Sequence, residues 1–168
     1  MDLDQFLHLH GIALQRFDHP AVLTCAESDL LVPKLPGARA KNLFLQAKKS
    51  HRYLLVTVPS ERPVDLARLG EVLGVGRLGF ASAARLNTHL GVTSGAVSLL
   101  ALFNDTTHAV DFVIDRRLWE AAAVQAHLLL NTATAVVTHD DLVTFLAASG
   151  HSARVIDVPA KTLEAVVS

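Results

Sequence analysis

The sequence predicts an α/β fold: one compact domain, residues 1–168, with a mixed central β-sheet flanked by helices. Three observations carry this. The chain has 168 residues, 51% hydrophobic and 18% charged, enough to close one core without disulfides or a structural metal and too short for two full domains. Segments of β-rich composition are intermixed with segments whose apolar residues recur at helical spacing. The mixture lacks a regular βαβ alternation, which favours a mixed sheet over a doubly wound nucleotide fold.

In chain order, Asp2 is an N-cap for an opening helix with Leu3, Phe6 and Leu7 on one face and Gly11 as its stop. Ile12 to Phe17 reads as a strand ended by Asp18-His19-Pro20. Thr24 to Leu31 reads as a short helix, closed by Pro33 and by Pro36-Gly37. Asn42 to Ala47 and Tyr53 to Val58 are apolar strands separated by Lys48-Lys49-Ser50-His51, a hairpin-sized polar connection. Asp65 to Leu73 has Leu66, Leu69, Val72 and Leu73 at helical spacing, with Gly74 and Gly76 beyond, and Ser82 to Leu90 is a second short helix. A small-residue loop, Gly91 to Ser98, leads into the apolar run Leu99 to Phe103 and an Asn104-Asp105 turn. Val110 to Ile114, Leu128 to Leu130 and Thr134 to Val137 read as strands, Asp140 to Ala148 as a helix stopped by Gly150, and Ala153 to Val158 as a last strand.

Composition narrows the function classes. The single cysteine, Cys25, excludes an intrachain disulfide and a cysteine-rich zinc site, reads as a buried structural thiol, and fits a cytoplasmic location. The N-terminal MDLDQFLHLH carries no lysine or arginine, unlike the start of a secretory signal, and no apolar run approaches the roughly 18 residues that cross a bilayer. Nine histidines form no His-Glu-x-x-His or similar cluster, and His8 and His10 face apart on a helix, so no metal is expected. The glycine loop lacks the Gly-Lys-Ser/Thr ending of a P-loop. Net charge is −1, yet Lys34 to Arg85 holds ten basic residues against three acids. That segment is either a solvated face or a surface that meets a polyanion.

Three polar islands could carry chemistry. Lys41-Asn42 opens an apolar strand, and a lysine with an amide at a strand mouth can address a carbonyl or phosphate oxygen. His127, ahead of Leu128-Leu129-Leu130 and Asn131, is either a satisfied core histidine or a site residue. The Gly95-Ala96-Val97-Ser98 stretch is either a plain turn or a place where backbone amides can approach a ligand.

Taken together, these islands resemble the free-standing YbaK/ProX prolyl-tRNA editing family, particularly its branch that clears alanine from proline tRNA. The resemblance rests on Phe17-Asp18-His19-Pro20, Leu35-Pro36-Gly37, Lys41-Asn42-Leu43-Phe44-Leu45, Gly74-Val75-Gly76-Arg77-Leu78, Leu90-Gly91-Val92-Thr93 with Gly95, Asn104-Asp105, and His127 with Asn131. It implies a compact α/β fold and hydrolysis of the ester joining a wrong small amino acid to the tRNA 3′ end, without a cofactor or metal. It assigns Lys41, Asn42 and His127 to the catalytic set. Gly95, Ala96, Val97, Ser98, Leu99 and Asn131 fall to substrate binding, and Arg77, with the positive-segment lysines Lys48 and Lys49, to tRNA contact. The implied partner is aminoacyl-tRNA at the acceptor end of proline tRNA, with prolyl-tRNA synthetase a second candidate; neither DNA nor a membrane is expected.

Two departures bear on activity. The family loop commonly places proline or alanine where this chain has Leu99, a larger side chain expected to reshape the pocket. Leu128 and Leu130 replace the proline after the histidine and a basic residue before the asparagine. The readings left open are an alanine deacylase, a deacylase for serine or cysteine, and a non-catalytic tRNA-binding homologue.

Overall fold

Seven consecutive buried residues, Tyr53–Pro59, form the strand around which the molecule is built, as expected where a strand is covered on both faces. The computed structural model describes residues 1–21 and 35–162; the expected Thr24 to Leu31 helix, Cys25 and Lys34 lie outside them. The strands are β1 (Gln15–Asp18), β2 (Ala40–Ala47), β3 (Tyr53–Pro59), β4 (Leu78–Phe80), β5 (Val110–Asp115), β6 (Ala123–His127), β7 (Ala133–Thr138) and β8 (Ala153–Ile156). The helices are α1 (Leu3–Leu9), α2 (Leu66–Leu73), α3 (Ala83–Leu90), α4 (Arg116–Trp119) and α5 (His139–Ser149), with 3₁₀ turns at Ser94–Ala96 and Leu99–Asn104.

A five-stranded sheet runs β4-β2-β3-β5-β8. Its β4-β2-β3 side is antiparallel and its β3-β5-β8 side parallel, so the expected mixed sheet is present. Strand alternation divides its side chains between two cores. Phe44, Tyr53, Leu55, Phe112 and Ile114 face the larger one, with α1, α3 and α5. Leu45, Leu54, Val56, Val58 and Val113 face a smaller one, closed by Leu69 and Leu73 of α2. Asp65 caps α2 by accepting from the Arg68 amide, and a Cβ on Gly70 would overlap the Gly76 carbonyl oxygen, so α2 seats against the turn before β4 only with glycine there.

The sequence did not foretell a second sheet, antiparallel, in the order β1-β7-β6. It joins the first through one parallel bridge between Ala38 and Val124. The Ala38 amide donates to Ala123 O, and the Gln125 amide donates to Ala38 O, both at 2.9 Å. Gly37 (φ 89°) lets the chain approach so closely: a Cβ there would stand 3.3 Å from the Ala123 backbone. The Gln125 side-chain amide gathers the carbonyls of Leu35, Pro36 and Gly37 at 3.2, 3.3 and 3.2 Å.

Some boundaries move. β1 starts at Gln15 rather than Ile12, whose amide donates instead to Leu7 O and whose side chain is buried. The strand expected at Leu128 to Leu130 is β6, Ala123–His127; Leu129 takes the left-handed conformation (φ 66°), which ends the strand. Leu99 to Phe103 coils into a 3₁₀ helix whose first turn Ser98 caps, its hydroxyl accepting from the Leu100 amide. No helix among the described residues is long and apolar enough to cross a membrane.

Candidate functional site

The Ala38 bridge sets the geometry. At it the two chains run in the same direction, and Lys41 and His127 each lie three residues beyond it, where the chains continue into separate sheets. By strand alternation both point away from the larger core, which takes Ala38, Ala40, Val124 and Ala126. Asn42, by the same alternation, lies on the other face of β2 with Phe44, Val124 and Ala126, the side of the larger core. The expected catalytic set is therefore split: Lys41 and His127 on one side of the junction, Asn42 on the other.

Both polar atoms of the Asn42 amide are engaged. Its Oδ1 accepts a 2.6 Å hydrogen bond from Thr57 on β3, and its Nδ2 donates to Val97 O at 3.4 Å. The Thr57 hydroxyl is completely buried, so it holds the amide in one orientation, and the amide in turn fastens the 95–98 loop over the end of the sheet. The Val97 amide closes the 3₁₀ turn on Ser94, and the Ser98 amide next to it has no acceptor among the described residues. An open N–H group beside a small-residue loop suits a carbonyl oxygen that gains negative charge. Ser98 and Leu99 are both 0% exposed; the serine hydroxyl is spent as a cap, and the leucine packs into the larger core.

Lys41 is half-buried and its ammonium has no hydrogen bond or ion pair among the described residues. His127 is half-buried at the end of β6, with Nδ1 fully enclosed and without a hydrogen-bond partner. Burial, reinforced by the neighbouring His19, pushes its pKa below 6.5, with the Ala133 backbone pulling weakly the other way. His127 is thus neutral at physiological pH, able to accept a proton or a hydrogen bond. Asn131 is half-buried in the β6–β7 turn, beside the half-exposed Leu130.

The expected tRNA contacts gather elsewhere. The Lys48 amide donates to Arg77 O at 3.0 Å, and its side chain lies across Gly79. Lys48, Lys49 and Arg77 therefore form one exposed cationic cluster at the hairpin end of the large sheet. Seven residues of extended strand separate Lys48 from Lys41, about 23 Å. A cavity of about 410 Å³ opens near that same end, lined by His108, Asp111, His151, Ser152 and Arg154, and none of the expected site residues borders it. The Asn42, Thr57 and 95–98 group lies instead toward the carboxyl ends of parallel strands β3 and β5, where open α/β sheets commonly bind ligands.

Sequence reasoning missed Thr57, Thr134 and the role of His19. Thr57 was findable as the one polar residue in Tyr53–Pro59. The other two depend on strand pairing, which composition does not reveal.

The fold and this junction define a class: a small α/β domain with a half-buried lysine and a neutral histidine on one side of a sheet junction and an amide-fastened small-residue loop on the other. Residues 19–145 match the aminoacyl-tRNA editing domain model, and the chain belongs to that family, in its YbaK/ProX-type group. It is 36% identical over 160 residues to mouse prolyl-tRNA synthetase associated domain-containing protein 1, covering 93% of this chain and 94% of that protein. It is 33% identical over 141 residues to the prolyl-tRNA editing protein ProX of Acetoanaerobium sticklandii, covering 84% and 86%. Among solved structures, one described as a trans-editing enzyme for prolyl tRNA synthetase superposes with a TM-score of 0.71 at 22% identity, covering 95% of each chain. The hypothetical protein APE2540 superposes with a TM-score of 0.72 at 20% identity, covering 93% of this chain and 97% of that one. These two likenesses establish the fold.

Proposed function

We propose that the protein is a deacylase that hydrolyses the ester of mischarged tRNA, with alanine on proline tRNA as its substrate. The observation that carries this reading is the editing-domain match, whose span encloses Lys41, Asn42, the 95–98 loop and His127 around one sheet junction. An aminoacyl ester is already activated, so the protein has to place a water and stabilise the oxyanion. In this reading the ester lies across the end of β2. The Ser98 amide and the Lys41 ammonium meet the carbonyl and the neighbouring phosphate. His127 accepts a hydrogen bond from the terminal ribose or the attacking water, and Asn42 holds the loop in register.

Selectivity follows from size. One methylene in an apolar pocket is worth about 1 to 3 kcal/mol, so a synthetase rejects alanine poorly and a second, smaller site completes the discrimination. Leu99 bears on this less directly than its position in the loop implies, because its side chain fills the core rather than standing open. Lys48, Lys49 and Arg77, about 23 Å away along β2, would bind phosphates of the acceptor stem rather than the terminal adenosine. Prolyl-tRNA synthetase is the second proposed partner.

The test is single-turnover hydrolysis by the purified protein of proline tRNA charged with alanine, serine, cysteine or proline. Alanine released fastest and proline spared is the expected result. Serine or cysteine released fastest would reassign the substrate. Release from none, with tRNA binding that weakens as salt rises, would make the protein a binding homologue.

A further inference from the structure

Three polar side chains line one face of the small sheet. His127 on β6 and Thr134 on β7 are paired in register. The Leu128 amide donates to Ala133 O at 3.1 Å, so that flanking pair is hydrogen-bonded and the His127–Thr134 pair is of the close, non-hydrogen-bonded kind, with Cβ atoms about 5 Å apart. On the other side of β7, the His19 amide donates to Thr132 O at 2.9 Å, which continues the β1 ladder and sets His19 diagonal to Thr134. The contact is direct: His19 Nε2 lies 2.8 Å from Thr134 Oγ1, and His19 Nδ1 lies 2.8 Å from Pro20 O.

The donors can be assigned. A carbonyl only accepts, so His19 Nδ1 carries a proton and, in the neutral ring, Nε2 accepts from the Thr134 hydroxyl. Thr134 has then spent its one hydrogen and can offer His127 only a lone pair. Thr134 stands opposite His127 in register, and the Ala133 backbone favours the ring's protonated form as a carbonyl acceptor does. Brought to the enclosed nitrogen by a small side-chain movement, either acceptor would reward a proton there. Nδ1 is the buried, unpartnered atom, and Nε2 is the nitrogen left in contact with solvent. A buried orphan of this kind costs about 1 to 3 kcal/mol unless a small movement or a ligand satisfies it.

We propose that His19 is a positioning residue that acts through Thr134 to fix the tautomer of His127, with the proton on Nδ1 and the Nε2 lone pair turned outward to accept from the ligand. The proposal rests on the editing reading only in naming that ligand as the tRNA terminus. Its chain of cause is internal: Pro20 O orients His19, His19 orients the Thr134 hydroxyl, and Thr134 selects the His127 tautomer. Neither His19 nor Thr134 touches the reacting atoms.

The experiment is two-bond ¹H–¹⁵N NMR at pH 8 on the full chain labelled with ¹⁵N-histidine, the His127 signals assigned with His127→Gln. The wild type is expected to hold His127 as the Nδ1–H form. Thr134→Val and His19→Phe should each shift the tautomer ratio toward Nε2–H by about fivefold, the worth of one ordinary hydrogen bond. Thr134→Ser, which keeps the hydroxyl, should restore the wild-type ratio. An Nε2–H wild type, or a ratio unmoved by both Thr134→Val and His19→Phe, overturns the proposal, and the wild-type spectrum decides even if a variant fails to fold. Because no tRNA is present, failure of the editing reading would leave these spectra unchanged.

Discussion

His127, half-buried at the end of β6, and His151, buried between α5 and β8, are treated in opposite ways. His151 has each ring nitrogen partnered: Nδ1 lies 3.0 Å from Ser149 Oγ and Nε2 lies 2.9 Å from Asp105 Oδ2. Asp105, 2% exposed, also accepts from the amides of Ala109 and Val110 at 3.0 and 2.9 Å. That cluster is closed, and it pins the start of β5 to the end of α5. At the other end of the molecule, among the described residues, His127 keeps one nitrogen unpartnered, Lys41 keeps its ammonium free of partners, and the Ser98 amide lacks an acceptor. A polar cluster that stabilises a fold consumes its own donors and acceptors, whereas one that waits for a ligand leaves some unspent.

The sharpest way to break this contrast is to open the closed cluster. Asp105→Ala removes the acceptor for two buried amides and an imidazole, so stability should fall by about 3 to 4 kcal/mol, a drop of roughly 10 °C in Tm by calorimetry. Lys41→Ala should do the reverse, leaving Tm within about 1 °C and lowering the single-turnover rate of alanine release about 100-fold, as loss of one oxyanion partner does. A Lys41→Ala protein that kept its rate would remove Lys41 from the site.

Smaller effects sharpen the comparison. Thr57→Val frees the Asn42 amide to rotate and unfastens the 95–98 loop. The rate should fall about tenfold with substrate affinity nearly unchanged, a loss of positioning worth about 1.4 kcal/mol. The pH profile is the mildest probe. Burial and His19 hold the His127 pKa below 6.5, so as pH falls the unfolded chain takes up the proton before the folded one. The stability contributed by the neutral ring is therefore fully present above about 6.5 and is lost as pH falls from there through the folded pKa. The rate should likewise hold its plateau down to below pH 6.5 and decline only under it. A decline already beginning near pH 7 would show a ring titrating above its ordinary value.

How much of this was legible beforehand depends on whether a feature is local. The helix over Asp65 to Leu73, the Lys48-to-His51 hairpin and the Asp140-to-Ala148 helix were read within a residue or two, because caps, glycine stops and periodicity lie next to one another in the chain. β4 and α4 were missed because elements of three and four residues are too short to show a period. The second sheet was missed for another reason. Its strand β6, Ala-Val-Gln-Ala-His, carries little β propensity of its own and is held by pairing with β7 and by the Ala38 bridge. The site divides along the same line. Lys41, Asn42 and His127 stood out as polar islands in apolar runs. That Lys41 and Asn42 face opposite ways, that Thr57 holds Asn42, and that His19 reaches Thr134 across 115 residues of chain all follow from register, which only the folded chain displays.

One paired measurement tests the central claim most directly: Tm and the single-turnover rate of alanine release from proline tRNA, for His127→Ala and His151→Ala beside the wild type. His127→Ala should lose most of its rate while keeping its Tm, and His151→Ala, assayed well below its lowered Tm, should keep its rate. The opposite pattern, with His127→Ala unstable but active or His151→Ala stable but inactive, would contradict the assignment of the open cluster to function and the closed one to the fold.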